Sequence, residues 1–289
     1  MQPSERVEQA LEHALAEAAG PEAPPLFARA LRYSVFPGGH RIRPQIVLAV
    51  AGACGDRDPA AVEAAAVAIE LLHCASLVHD DLPAFDNADL RRGKPSVHVA
   101  YGEPLAVLAG DALIVLAFET LVRGLAADGA KLSQLSRIVA RAVGSPGGIV
   151  AGQAWESEPA APLVDYQRAK TGALFVGATL AGAAAAGADP EPWRALGAAI
   201  GEAYQVADDL RDVLCDAEEL GKPIGQDARR LRPNAAAALG IGGAKARLKA
   251  LVDCAASSIP DCPGAEALRA QVRAQTSAFF PKQLARFAA

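Results

Sequence analysis

The sequence predicts an all-α protein, and three observations carry that expectation. Apolar residues recur at helical spacing over long stretches, and no run alternates apolar and polar residues as a half-buried strand would. Of the 289 residues 52% are hydrophobic and only 5% aromatic, with alanine supplying much of the apolar count. Alanine loses no side-chain entropy in a helix, so such a chain favours helix packed on helix.

Taken in order, helices are expected near 4–19, 24–35, 44–54, 59–81, 103–125, 128–144, 147–158, 162–188, 190–216, 243–257 and 264–286. The first is charged and amphipathic and lacks the apolar run of a signal peptide. The helix over 59–81 has an almost wholly apolar body, Ala64 to Val78, and an acidic end. Within 162–188, the stretch Thr171–Ala188 carries no charge and reaches the length of a membrane span. It is rich in Ala and Gly rather than Leu and Ile, which suits a buried helix of a soluble bundle. The breaks carry turn chemistry: Pro37-Gly38-Gly39, Gly55 to Pro59, Arg92 to Pro95, Ser145 to Gly148 and Gly221 to Pro233. None has the composition of an interdomain linker and no repeat is evident, so a single domain over 1–289 is expected.

The formal charge of −5 argues against a general nucleic-acid binder. Any anion must be held by locally gathered Lys and Arg. Five cysteines (Cys54, Cys74, Cys215, Cys254, Cys262) form no CxxC pair, which suits reduced thiols in a cytoplasmic protein.

Two acidic clusters carry the chemistry. The first, Asp80, Asp81, Asp86 and Asp89, closes an apolar helix and is followed at once by Arg91, Arg92 and Lys94. Carboxylates at a helix C-terminus oppose the macrodipole, and a divalent cation would compensate. Hard carboxylate oxygens suit Mg²⁺, which prefers ligands shared with a substrate phosphate. In the second cluster Gln205, Asp208 and Asp212 fall at i, i+3 and i+7 on one helix face, with Asp209 beside them. One such motif is a weak signal and also describes an ordinary solvated face. Two, each at the end of an apolar helix and each followed by basic residues, suit a metal site built inside a bundle.

These motifs together resemble the trans-isoprenyl diphosphate synthases. The likeness covers nearly the whole chain: Gly38-Gly39-His40-Arg41-Ile42-Arg43-Pro44, the stretch His73 to Asn87, Arg91-Arg92-Gly93-Lys94-Pro95, Gly152-Gln153, Lys170-Thr171-Gly172, Gln205 to Asp212, and Gly221 to Asp227. It is strongest to bacterial geranylgeranyl diphosphate synthases of carotenoid and photosynthetic pigment pathways. The resemblance implies a single helical bundle around a central cavity, a homodimer, and Mg²⁺, three ions per site. Asp80, Asp81 and Asp86 with Asp208, Asp209 and Asp212 would hold those ions on an allylic diphosphate. Arg91, Lys170 and Lys222 would add charge there, and Thr171 and Gln205 would face the allylic cation. Isopentenyl diphosphate would be held by His40, Arg43, His73 and Arg92. Read singly, Lys170 and Lys222 are surface lysines and His73 a core histidine. His73 nevertheless lies two turns, roughly 10 Å, below Asp80 on the same face.

Product length would follow from the helix below Asp80. Ser76 lies one turn down and about 40° off that face, and Ala75 lies to the side, placed in the pocket by the resemblance. Both are small, whereas farnesyl-forming relatives commonly carry an aromatic at one of these positions, so a C20 product is expected; the deeper floor would involve Leu71, Leu72 or residues near Leu116 and Phe118. The chain departs from the family's usual lysine at His40, which is only partly charged near neutrality, and also at Gln226 and Arg232. Rival readings are a C15 farnesyl diphosphate synthase, a class I terpene cyclase, a non-catalytic synthase subunit and a helical scaffold without metal. The second DDxxD argues against a cyclase, and retention of both clusters argues against a silent subunit.

Overall fold

The computed structural model describes residues 3–36, 39–160, 162–214 and 235–277. Helices make up nearly all of it, as expected: α1 (Pro3–Ala18), α2 (Pro25–Val35), α3 (Ile42–Cys54), α4 (Pro59–Asp80), α5 (Val97–Tyr101), α6 (Glu103–Gly124), α7 (Gly129–Val143), α8 (Ile149–Trp155), α9 (Leu163–Gln167), α10 (Ala173–Ala185), α11 (Arg194–Leu214), α12 (Ala235–Ser257) and α13 (Ala265–Ser277). Two compact units arise from the contacts, one within Met1–Ala140 and Gly177–Pro190, the other within Arg141–Val176 and Glu191–Ala289.

In the first unit α4 is the buried axis. Asp58 caps it by accepting from the Ala61 amide at 3.2 Å, with Pro59 pre-set for the first turn. From Ala64 to Leu72 every side chain is buried. Helix α6 runs antiparallel against it, fixed at two small-residue contacts. A Cβ on Gly124 would lie under 3.0 Å from the Ala64 Cβ, and one on Gly110 would meet the His79 ring equally closely. Small residues therefore set how near the two backbones come, and a larger side chain at either would wedge them apart. Helix α10 ends in the same unit, where Gly182 leaves room for the Val47 carbonyl of α3.

In the second unit α11 packs along α12. Val206, Ala207 and Leu210 of one helix are buried with Ala244, Leu248 and Leu251 of the other. Burying a Leu or Val of this kind contributes roughly 1.5–3 kcal/mol.

Several boundaries differ from expectation. Strand structure does occur, as a hairpin pairing Leu90–Arg91 (β1) with Lys94–Pro95 (β2). Arg92 and Gly93 both take positive φ (55° and 75°), the demand of a type I′ turn, so turn chemistry rather than alternation creates it. The expected 162–188 helix is α9, a π-helical turn over Arg168–Gly172 and α10. Its uncharged part is thus only 13 residues of regular α-helix. Among the described residues the helices long and apolar enough to cross a membrane are instead α4 and α6, with 78% and 39% of their most apolar windows buried. Helix α12 begins at Ala235, ahead of the expected 243, and is broken at Gly240 (φ 68°). Gly38, Cys215, Lys222, Gln226, Asp227 and Arg232 lie outside the described residues.

Candidate active site

The end of α4 gathers the first acidic cluster. Past Asp80 the chain curls back: the Asp86 amide donates to the Asp80 carbonyl at 2.9 Å and the Ala88 amide to the Asp81 carbonyl at 3.1 Å. Asp86 thereby returns beside the helix end. The hairpin then carries Arg91 back onto Asp81, its Nε lying 3.0 and 3.1 Å from the two carboxylate oxygens. The Asp80 Oδ2 is 3.8 Å from the same guanidinium. Tyr33 of α2 donates to the Pro95 carbonyl at 2.8 Å and holds the hairpin in place. A pocket between α2, α4 and the hairpin is lined by Tyr33, Ser34, Asp81, Arg91, Arg92 and Lys94.

Asp81 is 2% exposed. Burial raises its pKa above the usual carboxylate range; Arg91 pulls it back down, and Asp80 and Asp86 push it up again. More cationic charge is therefore wanted where three carboxylates meet one arginine. The donor set is oxygen only, as Mg²⁺ requires. Among the described residues no three His, Cys, Asp or Glu side chains close a metal cage by themselves.

A second corner lies below, on the same face of α4. Arg43 is 8% exposed and its Nη1 is 3.3 Å from His73 Nε2. An arginine only donates, so Nε2 accepts and the imidazole proton sits on Nδ1. His73 titrates well below its ordinary range, because burial and the nearby Arg43, Arg92, Arg91 and Arg41 all oppose its charging. The Arg92 guanidinium rests over Gly39, where any Cβ would come under 3.0 Å from it. His40 is exposed beside this contact, and its carbonyl accepts from Gln45 at 2.9 Å. The first unit thus sets Arg43 against His73 and brings Arg92 near enough to act on the His73 charge, with His40 exposed next to Gly39.

In the second unit the candidate residues gather around the π turn, a distortion frequent at functional positions. A Cβ on Gly152 would lie 2.5 Å from the Lys170 Cα, so only glycine lets α8 approach this backbone. Lys170 Nζ donates to Glu156 Oε1 at 2.6 Å, and Tyr166 donates to the same oxygen at 2.7 Å. Thr171 donates to Gln205 Oε1 at 3.1 Å; Gln205 Nε2 donates to Asp209 Oδ1 at 3.0 Å; the Ala235 amide donates to Asp209 Oδ2 at 2.7 Å. Asp209 is accordingly buried and anchors the start of α12, while Asp208 is half-buried and Asp212 9% exposed. Sequence reasoning missed Glu156, whose pairing with Lys170 carries no local signature. It also passed over Arg41 and Glu70, which share a buried ion pair at 2.7 Å.

Comparison with known proteins now decides the family. The polyprenyl synthetase family model matches residues 24–261. The chain belongs to the polyprenyl synthetase family. It is thus an all-α prenyltransferase of isoprenoid biosynthesis. A geranylgeranyl diphosphate synthase of Cereibacter sphaeroides is 57% identical over 97% of this chain and 98% of its own length. The enzyme of the same name from Rhodobacter capsulatus is 57% identical over 92% of each. Among solved structures, a Helicobacter pylori geranyltransferase complexed with magnesium and isoprenyl diphosphate superposes with a TM-score of 0.78. It is 28% identical and the match covers 96% of this chain and 98% of that one.

Proposed function

We propose that this family member is a Mg²⁺-dependent geranylgeranyl diphosphate synthase that extends allylic diphosphates with isopentenyl diphosphate. The observation carrying this reading is the Asp80–Asp81–Asp86 turn closed by Arg91 directly above the Arg43–His73 corner on one helix. Two anion sites of this kind suit two diphosphates held side by side.

In this reading Asp80, Asp81, Asp86, Asp208, Asp209 and Asp212 hold the metal, and three ions per site follow the family resemblance. Mg²⁺, when bound, offsets negative charge building on the leaving diphosphate. Arg91 and Lys170 hold that diphosphate, with Lys222 in the same role outside the described residues. The allylic C–O bond breaks and its electron pair leaves with the diphosphate. Thr171 and Gln205 face the resulting cation with hydroxyl and amide oxygens. His40, Arg43, His73 and Arg92 orient isopentenyl diphosphate, whose double bond attacks the cation to form the new C–C bond. The departing diphosphate takes the proton that is then lost. No protein nucleophile is needed; the chain supplies orientation and water exclusion.

A C20 product is supported by the small residues Ala75 and Ser76 and by the 57% identity to enzymes of that name. The single synthase domain over 1–289 is supported by a family match that runs through both compact units. A cytoplasmic protein feeding carotenoid synthesis is the accompanying reading, supported by the absence of disulfides among the described cysteines. We assign the exposed apolar stripe of α6, Leu108, Val115 and Val122, to a homodimer interface rather than to a membrane span. Positions seven apart recur on nearly one helix face and suit a second helix. Val115→Asp should then yield monomers by light scattering, and an unchanged mass would overturn the interface.

The deciding experiment incubates the protein with Mg²⁺, labelled isopentenyl diphosphate and dimethylallyl, geranyl or farnesyl diphosphate in turn, and sizes the products. C20 from each starter is expected. Accumulation of C15 would assign a farnesyl diphosphate synthase, and cyclised hydrocarbon or no product would overturn the reading.

A further inference from the structure

Behind the Arg43–His73 corner lies a group of buried charges for which the reaction has no use. Arg41 is 3% exposed and Glu70 1%. Arg41 stands at the start of α3 in left-handed backbone, φ 46° and ψ 39°, a conformation uncommon for any residue but Gly, Asn or Asp. Its guanidinium reaches three helices. Nε donates to Glu8 of α1 at 2.8 Å, Nη1 to Glu70 of α4 at 2.7 Å, and Nη2 to the Val35 carbonyl of α2 at 2.9 Å.

A buried ion pair gives no more stability than well-packed apolar side chains of the same volume. Stability alone therefore does not account for one here. Position in the sequence suggests another role. Arg41 and Glu70 link the same two segments as Arg43 and His73, two residues further along α3 and three along α4. A shift in one pair moves the other. The 39–43 segment also carries Gly39, which leaves room for Arg92, and His40 beside it.

We propose that Arg41 and Glu70 are positioning residues for the isopentenyl diphosphate site. Their pair, steadied by Glu8, pins the 39–43 segment to α1, α2 and α4 at the height where Arg43 meets His73. The proposal rests on the reading of Arg43, His73 and Arg92 as holders of that substrate. Burial raises the Glu70 pKa, and Arg41, Arg43 and Arg92 pull it back down, so the carboxylate's charge is held by the same arginines that surround the corner.

Steady-state kinetics of Glu70→Gln, Glu8→Gln, Arg43→Gln and the Glu70→Gln/Arg43→Gln double variant test this. Because misplacement by about 1 Å is costly and acts on binding of one substrate, Glu70→Gln should raise the KM for isopentenyl diphosphate about tenfold. The KM for the allylic substrate should stay within about twofold and kcat within about threefold. Glu8→Gln, at a partly exposed carboxylate, should raise the same KM about threefold. The double variant should be no worse than Arg43→Gln, since Glu70 acts through it. An unchanged KM for isopentenyl diphosphate in Glu70→Gln, or equal losses toward both substrates, overturns the positioning role. If Glu70→Gln fails to fold, Glu8→Gln decides, and an unchanged KM there overturns it. An Arg43→Gln enzyme with normal KM overturns the underlying site assignment instead.

Discussion

Arg91 and Asp81 share a forked ion pair, with the guanidinium Nε 3.0 and 3.1 Å from the two carboxylate oxygens. One arginine there answers three carboxylates, and that imbalance gives the first prediction. Burial together with Asp80 and Asp86 raises the Asp81 pKa above 3.8 against the pull of Arg91. The folded state therefore binds more protons than the unfolded chain between those two values, and this group's contribution falls as pH rises through the folded pKa. A bound cation relieves the cost only once the carboxylate is ionised. The rise in melting temperature produced by Mg²⁺ over chelator should thus be larger at about pH 7.5 than at about pH 5. Equal increments at the two pH values would argue against Asp81 as part of a cation site.

His73 makes the opposite prediction. Its pKa is held well below 6.5, first by burial and then by the surrounding arginines. The unfolded chain therefore binds the extra proton first, so stability is full above pH 6.5 and is lost as pH falls through it toward the folded value. The slope for one such group is at most about 1.4 kcal/mol per pH unit. His73→Gln should flatten the fall in unfolding free energy between about pH 7.5 and about pH 5.5 by a fraction of that. An unaltered slope in denaturant titrations would mean that another group governs the acid limb.

Much of this site was legible because helical spacing is rigid. Seven residues separate His73 from Asp80, and that alone puts them on one face of α4. The Gly152-Gln153 pair was visible as a motif, but its reason was not: glycine is required because the Lys170 backbone lies against it. The hairpin at Arg91–Lys94 escaped a reading based on alternation, since two residues per strand carry no period. Long-range partners were the true blind spot. Arg41 and Glu70 stand 29 residues apart, and nothing local in either segment marks the pair. Likewise the hold of Asp209 on α12 depends on where the chain returns after residues 215–234.

Chain-length control can be stated more sharply with α4 and α6 in place. Ala64 faces Gly124 and His79 faces Gly110. By helical rotation Ala75 lies between these two on the same stripe, with Leu71 one turn below and Ser76 turned toward the Asp80 face. Ala75 is 1% exposed. In the proposed function an aromatic there would fill tail space, and in this packing it would also push against a close-packed interface. Ala75→Phe is expected to shift products toward C15 and to cost about 1–3 kcal/mol of stability. Ser76→Phe, at a half-buried position, should shorten products at smaller cost. Chromatography of the products and denaturant unfolding check both; C20 from both variants would remove these positions from the tail pocket.

Asp209 gives the last prediction, because its two oxygens already serve the fold. Oδ1 accepts from Gln205 and Oδ2 from the Ala235 amide, so the carboxylate ties α11 to the first turn of α12. A carboxylate at a helix N-terminus also answers the positive end of the macrodipole. Asp209→Ala leaves both the partly buried Ala235 amide and the Gln205 side chain without this acceptor, at a cost of about 1 kcal/mol. A carboxylate that serves metal alone behaves otherwise: its removal lowers stability only when metal is present. Unfolding of Asp209→Ala is therefore expected to be easier than wild type in chelator as well as in Mg²⁺. The Gln205→Leu and Asp209→Ala effects should be coupled by about 1 kcal/mol in a double-mutant cycle, since the two side chains share one hydrogen bond. Wild-type stability of Asp209→Ala in chelator would show that the anchor carries no weight and would return Asp209 to a purely metal-binding role.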